Sequence, residues 1–114
     1  MDLAVSAEKS GYTVLAISGE VDVYSAPDLR SRVGDLVDSG HRQLVLDLSG
    51  VEFLDSTGLS VLVASQNRIR EIGGVLTLVC SQEWLLKLFR ITGLDQVFTM
   101  CPTVDKALAD PTTG

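Results

Sequence analysis

The segment Asp55-Ser56-Thr57-Gly58-Leu59 carries the clearest chemical signal in the sequence. It stands between a predicted strand and a predicted helix, so Ser56 or Asp55 should be the helix N-cap, with the first helical N–H groups open beside it. These N–H groups and the positive end of the helix dipole favour an anion. Ser56 is therefore a candidate phosphate acceptor, but a plain capping role fits the same residues, and the segment alone does not decide.

A second polar segment runs from Gly19 to Arg30 and contains Glu20 and Asp22. It leaves a predicted strand that neighbours the one preceding Asp55. Because the carboxyl ends of neighbouring parallel strands meet at one end of a sheet, we expect the two loops to be adjacent. This pairing favours a functional role for the Asp55 segment more strongly than its own residues do.

Hydrophobic periodicity predicts the elements that hold these loops. Strands are expected at residues 3–6, 12–18, 43–48, 75–79 and 96–100. Helices are expected from a Ser25 cap to about Gly40, from about Ser56 to Ile72, from Gln82 to Ile91 after a Ser81 cap, and from Thr103 to Ala109.

This order of elements predicts a single α/β domain. The first two strands should form a hairpin, and the strands that alternate with helices should make parallel, right-handed crossovers. We expect a mixed, mostly parallel sheet of four to five strands flanked by about four helices, with strand 43–48 in the middle. The domain should cover residues 1–110, and residues 111–114 should be a tail.

The composition predicts a soluble, acidic domain. The chain has 114 residues, of which 46% are hydrophobic and 21% charged, and its formal net charge is −6. This charge repels nucleic acid and anionic membrane surfaces, so we expect direct binding to neither and favour a basic or neutral protein partner. Apolar runs stop well short of the ~18 residues of a membrane span, and the sequence starts without a signal peptide, so the expected location is the cytoplasm.

The two cysteines, Cys80 and Cys101, are too few and too far apart in sequence for a zinc site or a disulfide scaffold. We expect structural thiols, no metal and no cofactor. Because each cysteine follows one of two neighbouring predicted strands, a bridge between them under oxidising conditions stays open as a weaker hypothesis.

Serine-hydrolase chemistry is an alternative that the sequence disfavours. The single histidine, His41, precedes strand 43–48 and should lie at the opposite end of the sheet from Ser56, so no base serves that hydroxyl. The nucleophile-elbow, phosphate-loop and dinucleotide-binding motifs do not occur in the sequence. We expect a protein without catalytic residues that is not an enzyme.

Two stretches of the chain resemble the STAS-domain anti-sigma factor antagonists of bacteria. They are Gly19-Glu20-Val21-Asp22, followed by a helix start that contains Pro27, and Asp55-Ser56-Thr57-Gly58-Leu59. Leu46-Asp47-Leu48-Ser49, leading through Phe53-Leu54, belongs to the same likeness, which extends from the first strand to the last helix. The resemblance implies a STAS-like fold.

The resemblance also implies a phosphorylation switch. Ser56 would receive phosphate from an anti-sigma factor with serine kinase activity, and a phosphoserine phosphatase would remove it. Only the unphosphorylated form would bind this partner tightly and free a sigma factor. Asp22 would help to orient the Ser56 hydroxyl, although it could instead only cap the turn before Ser25. The expected partner contacts are Glu20, Asp22, Asp55, Ser56, Thr57 and Gly58.

Three questions stay open at this point. A STAS domain could instead bind a nucleotide or another small ligand, or act as a scaffold in a signalling assembly. Gly58 could let another backbone come close, or it could serve the packing of helix on sheet. Helix 82–91 has more apolar residues than one buried stripe uses, so it could extend the partner interface or form a weak homodimer, although most of these residues could simply belong to the core.

Overall fold

The computed structural model describes residues 1–9 and 11–109, and strands and helices alternate along them. The strands are β1 (Asp2–Lys9), β2 (Tyr12–Val21), β3 (Gln43–Leu54), β4 (Val75–Val79) and β5 (Thr99–Cys101). The helices are α1 (Ala26–Asp38), α2 (Ser56–Glu71), α3 (Glu83–Thr92) and α4 (Val104–Ala109), with a 3₁₀ turn at Leu94–Gln96.

The five strands form one sheet in the order β1-β2-β3-β4-β5. β1 runs antiparallel to β2, and the pairs β2–β3, β3–β4 and β4–β5 are parallel. The sequence of strand, helix and neighbouring parallel strand gives the crossovers that the periodicity predicts. The predicted single α/β domain with a mixed, mostly parallel sheet is confirmed.

Helices α1, α2 and α3 pack on one face of the sheet and form the main core. Their apolar stripes meet strand residues such as Leu15, Leu46 and Leu78, all fully buried. On the other face, α4 places Ala107 over Val14, Val45 and Val79. These alternating positions along β2, β3 and β4 explain why the inner strands are apolar on both faces.

Several predicted boundaries are wrong, and the largest error concerns β3. The apolar run predicts an end near residue 48, but β3 continues through Ser49 and Gly50 to Leu54 and stays paired with β2. The pairing survives because β3 takes up two register shifts, between Ala16 and Ser18 and between Gly19 and Glu20 of its partner.

The predicted strand at 96–100 is also displaced. Gly93 adopts a left-handed conformation (φ 76°) that ends α3, and the 3₁₀ turn follows it, so β5 starts only at Thr99. Phe98 packs edge-on against Phe89, with 5.8 Å between ring centroids. α3 begins at Glu83 with Gln82, not Ser81, as its N-cap. The predicted tail at 111–114 lies outside the described residues, and the domain limit at 110 stays a prediction.

Candidate functional site

The two polar loops meet at the carboxyl end of β2 and β3, as predicted. Glu20 pairs with Phe53, and Val21 pairs with Leu54, in the last stretch of the parallel ladder. The Asp55 N–H then donates to the Val21 carbonyl at 3.3 Å. The chain therefore leaves β3 beside the point where β2 gives way to the turn before α1.

Asp55, and not Ser56, is the N-cap of α2. Its Oδ1 accepts the Gly58 N–H at 2.9 Å, and its carbonyl accepts the Leu59 N–H at 3.0 Å. An Asp side chain in this position satisfies one of the N–H groups that a helix start leaves open. Ser56 is consequently the first helical residue, and its side chain is exposed.

Gly58 is buried against the sheet. A Cβ at this position would lie 3.0 Å from both Val21 Cγ1 and the Val21 carbonyl oxygen, and it would overlap Leu54 Cδ1. The two explanations that the sequence left open hold together, because the helix packs closely on the sheet and the Val21 backbone is part of that contact. Thr57, between Ser56 and Gly58, is half-buried.

Asp22 organises the turn from β2 into α1. Its Oδ1 accepts the N–H groups of Tyr24 and Ser25, each at 3.0 Å, and the Ser25 hydroxyl at 3.1 Å. These bonds, the Ser25 N–H above all, hold the pKa of the Asp22 carboxyl below its ordinary value of 3.8. The turn-capping role that the sequence left open for Asp22 is therefore present, and a role toward the Ser56 hydroxyl stays a prediction.

Ser25 occupies the N-cap position of α1, but its side chain does not cap the helix as expected. Its hydroxyl proton is shared between Asp22 Oδ1 and the Glu20 carbonyl, which lies 2.9 Å from Oγ, and Oγ accepts the Asp22 N–H at 2.9 Å. The Glu20 side chain is exposed. The loop is thus fixed by its own polar groups, and Glu20 can face a partner.

Three large apolar side chains at this end of the sheet were missed by the sequence reasoning. Val23 is 55% exposed, Tyr24 89% and Phe53 48%. Tyr24 lies one residue before Ser25, the N-cap position of α1, so its place in a loop of polar turn residues was the available signal. Exposed aromatic side chains beside a polar loop are typical of protein interfaces.

A groove of about 470 Å³ runs along α2 from Ser56. Its lining combines two serines and an asparagine with apolar side chains, and it includes Leu94 from the 3₁₀ turn, which sequence reasoning did not connect with this site. The lining residues are Ser56, Leu59, Ser60, Val63, Ala64, Asn67 and Leu94.

His41 lies at the other end of the sheet, just before β3 begins. Its Nδ1 is 2.7 Å from Thr13 Oγ1, next to the start of β2. The expectation that His41 is remote from Ser56 therefore agrees with the topology. Within residues 1–9 and 11–109, no group of three or more His, Cys, Asp or Glu side chains is placed to hold a metal ion.

Cys80, which follows β4, is a buried thiol. Burial raises the pKa of the Cys80 thiol to about 11, as expected for a structural residue. The Cys80 N–H donates to the Cys101 carbonyl at 3.1 Å, so the ends of β4 and β5 are adjacent.

Two apolar side chains of α3 are exposed: Trp84 is 41% exposed and Ile91 72%. Their predicted contact with a partner or second copy stays a prediction. Among the described helices, none is long and apolar enough to cross a membrane.

Known proteins are similar to this chain in sequence and in fold. A family model of the STAS domain matches residues 4–107. The chain is 43% identical over 81 residues to the anti-sigma-B factor antagonist of Bacillus subtilis. The aligned region covers 71% of this chain and 73% of that protein. It is 34% identical over 102 residues to the anti-sigma-F factor antagonist RsfB of Mycobacterium tuberculosis, covering 90% and 83% of the two proteins.

A solved structure agrees with these relatives. The crystal structure of an anti-sigma factor antagonist from Mycobacterium paratuberculosis matches with a TM-score of 0.85 at 35% identity, covering 95% of this chain and 91% of that one. The family match over residues 4–107, which spans the five-stranded sheet and both loops, identifies the domain as a STAS domain. The chain belongs to the STAS-domain family of anti-sigma factor antagonists.

Proposed function

We propose that this protein is a phosphorylation-controlled antagonist of an anti-sigma factor, with Ser56 as its phosphate acceptor. The observation that carries the proposal is that the cap of α2 and the exposed hydroxyl beside it belong to two different residues. Asp55 caps the helix, which leaves the exposed side chain of Ser56 available to a kinase. In its unphosphorylated form the protein binds the anti-sigma factor, and a sigma factor is released.

A phosphate on Ser56 changes this surface without a change of fold. The group adds about −1.5 to −2 charges, and the N-terminal end of α2 stabilises an anion. The carboxylates of Glu20, Asp22 and Asp55 belong to the same pair of loops, so added negative charge is concentrated there. A partner that docks closely loses a desolvated contact of roughly 3–4 kcal/mol, which lowers its affinity by more than two decades.

The other proposed contacts divide by burial. Glu20 and Ser56 are exposed and face the partner directly, whereas Asp22, Asp55 and Thr57 are half-buried. Gly58 is buried, so its part is to let α2 lie close to the sheet and present Ser56. The groove that begins at Ser56 and the exposed Tyr24 extend the contact surface.

The partner in this proposal is an anti-sigma factor that uses ATP to phosphorylate Ser56, and a phosphoserine phosphatase reverses the modification. This chain is the substrate and the ligand, not the catalyst. Sigma factors act on RNA polymerase, so the exchange takes place in the cytoplasm.

Phosphate mapping tests the acceptor. The protein is incubated with ATP and each anti-sigma-type kinase of the same genome, and added phosphate is located by mass spectrometry. We expect one phosphate on Ser56, lost in Ser56→Ala and kept in Ser60→Ala, since Ser60 is an exposed serine of the same groove. Phosphate on another residue, or none with any of the kinases, overturns the proposal.

Charge at this position is tested separately by binding. Ser56→Ala should bind the anti-sigma factor like the unmodified protein, while Ser56→Asp should bind more weakly because it introduces a carboxylate into the interface. Equal affinities of the two variants would show that charge at this residue is not the signal.

A further inference from the structure

The last part of β3 extends beyond the strand on one side of it. β3 pairs with β4 from Gln43–Val75 to Asp47–Val79, where β4 ends. β2 accompanies β3 further, as far as the pair Val21–Leu54. Residues 48–54, which lead directly to Asp55 and Ser56, therefore have a strand neighbour on the β2 side, while on the other side the chain of β4 has already turned toward α3.

A single side chain reaches three backbone carbonyl groups of this stretch. The Gln82 Nε2 lies 2.9 Å from the Leu48 carbonyl oxygen, 3.1 Å from that of Ser49 and 3.0 Å from that of Val51. The Gln82 Oε1 accepts the Ser81 N–H at 3.1 Å, which fixes which end of the amide faces β3. The two N–H groups of Gln82 thus serve three backbone acceptors.

The backbone of Gln82 is anchored as firmly as its side chain. Gln82 is the N-cap of α3, and its carbonyl accepts the N–H groups of Leu85 at 3.1 Å and Leu86 at 3.0 Å. Leu85 is fully buried in the main core. The start of α3 therefore fixes the position of the Gln82 side-chain amide that contacts β3.

We propose that Gln82 is a positioning residue for Ser56. It replaces the missing strand neighbour of residues 48–51, and so fixes how far the end of β3 projects and where α2 presents Ser56. This inference rests on the proposed role of Ser56 as phosphate acceptor. The irregular stretch of β3, with its two register shifts, is where such support is needed, because each shift disrupts the regular ladder on the β2 side.

Amide hydrogen exchange on the isolated protein tests the positioning without any partner. Gln82→Met keeps the length of the side chain and removes its donors. We expect exchange of the amides in residues 49–56 to accelerate about tenfold, while amides of α1 and β4 keep their rates. Gln82→Glu, which presents acceptors to acceptors, should accelerate the same segment at least as much.

Gln66→Met is the matched control, because Gln66 also donates through Nε2 to a distant backbone carbonyl, that of Val97, at 2.6 Å. It should loosen the segment around Val97 and leave residues 49–56 unchanged. If both Gln82 variants exchange within twofold of the wild type over 49–56, or if the control accelerates this segment equally, the positioning role is wrong.

A kinetic measurement links the positioning to Ser56. With a kinase that phosphorylates the wild type, Gln82→Met should lower kcat/KM for phosphate transfer about tenfold, and Gln66→Met should not, since small misplacements of a reacting group are costly. Unchanged kcat/KM in Gln82→Met contradicts the inference. Failure of every kinase to modify Ser56 would overturn the proposed function instead, and the exchange experiment would still decide the role of Gln82.

Discussion

Gly58 sets how closely the start of α2 approaches the sheet. Val21 and Leu54 occupy the space where its side chain would be, and both belong to the strands that carry the two functional loops. Asp55 accepts the Gly58 N–H, so the cap and the close packing depend on the same residue. Ser56 is presented by this arrangement.

Gly58→Ala should therefore destabilise the protein. Crowding against the Val21 backbone and Leu54 costs about 1–3 kcal/mol, and the higher helix propensity of alanine offsets up to about 1 kcal/mol of it. Urea unfolding followed by circular dichroism measures the difference. A midpoint equal to or above that of the wild type would show that the helix start tolerates the methyl group.

Gly34→Ala is the control for this substitution. Gly34 also lies inside a helix, but its Cβ would meet the guanidinium of Arg68, with Nη1 at 2.6 Å, which is the mobile end of a partly exposed side chain. Arg68 can move aside, so Gly34→Ala should be neutral or stabilising by up to about 1 kcal/mol. A loss like that of Gly58→Ala would contradict the distinction.

The residue types of the site could be predicted from the sequence, but their division of labour could not. Asp55 and Ser56 are both good N-cap residues, and only the structure shows that Asp55 takes that position. Gln82 gave no signal, because its side chain reaches backbone groups 31 to 34 residues away. Contacts of that kind depend on the tertiary fold and leave no local pattern.

At the scale of elements, α1 and α2 both bury apolar residues in the main core, and an exposed ion pair also joins them. Asp38 and Arg68 form an ion pair of 2.9 Å between the two helices, with side chains 69% and 43% exposed. Exposed pairs contribute little because water screens them. Leu62, by contrast, is fully buried in the main core.

Asp38→Ala should change the free energy of unfolding by less than about 1 kcal/mol, whereas Leu62→Ala should cost about 2–5 kcal/mol. Chemical unfolding of the two variants in parallel gives the comparison. If the Asp38 variant lost as much stability as the Leu62 variant, the ion pair would be a main link between these helices.

The order of elements could be predicted because strand and helix periods differ and the crossovers obey one handedness. The length of β3 could not. Ser49-Gly50 is a turn signal, yet here it lies in a strand whose irregularities are absorbed by register shifts and by the carbonyl contacts of Gln82. The short β5 begins later than predicted, at Thr99, because Phe98 packs against Phe89 in the core and is not part of a regular strand.

For the whole molecule, one thiol reports on the integrity of the core. Cys80 is 2% exposed, and burial raises its pKa to about 11 from an ordinary 9.0. In the unfolded state this thiol ionises around its ordinary pKa of 9.0, whereas the folded state keeps it neutral up to about 11. The contribution of Cys80 to the free energy of unfolding is therefore complete below pH 9.0 and is lost as the pH rises toward about 11.

At pH 8 the native protein should therefore leave Cys80 unmodified by iodoacetamide, because the thiolate is the reactive form. The same residue should be alkylated readily in urea, which serves as the control. Mass spectrometry of the Cys80 peptide gives the result. Rapid alkylation of the native protein would show that this end of β4 opens to solvent.

The central claim is that phosphate on Ser56 controls binding to an anti-sigma factor. The most direct measurement is calorimetric titration of that partner with the unmodified protein and with the same protein phosphorylated on Ser56. A lost contact of roughly 3–4 kcal/mol predicts a dissociation constant raised by more than two decades in the phosphorylated form. Equal dissociation constants for the two forms would contradict the account.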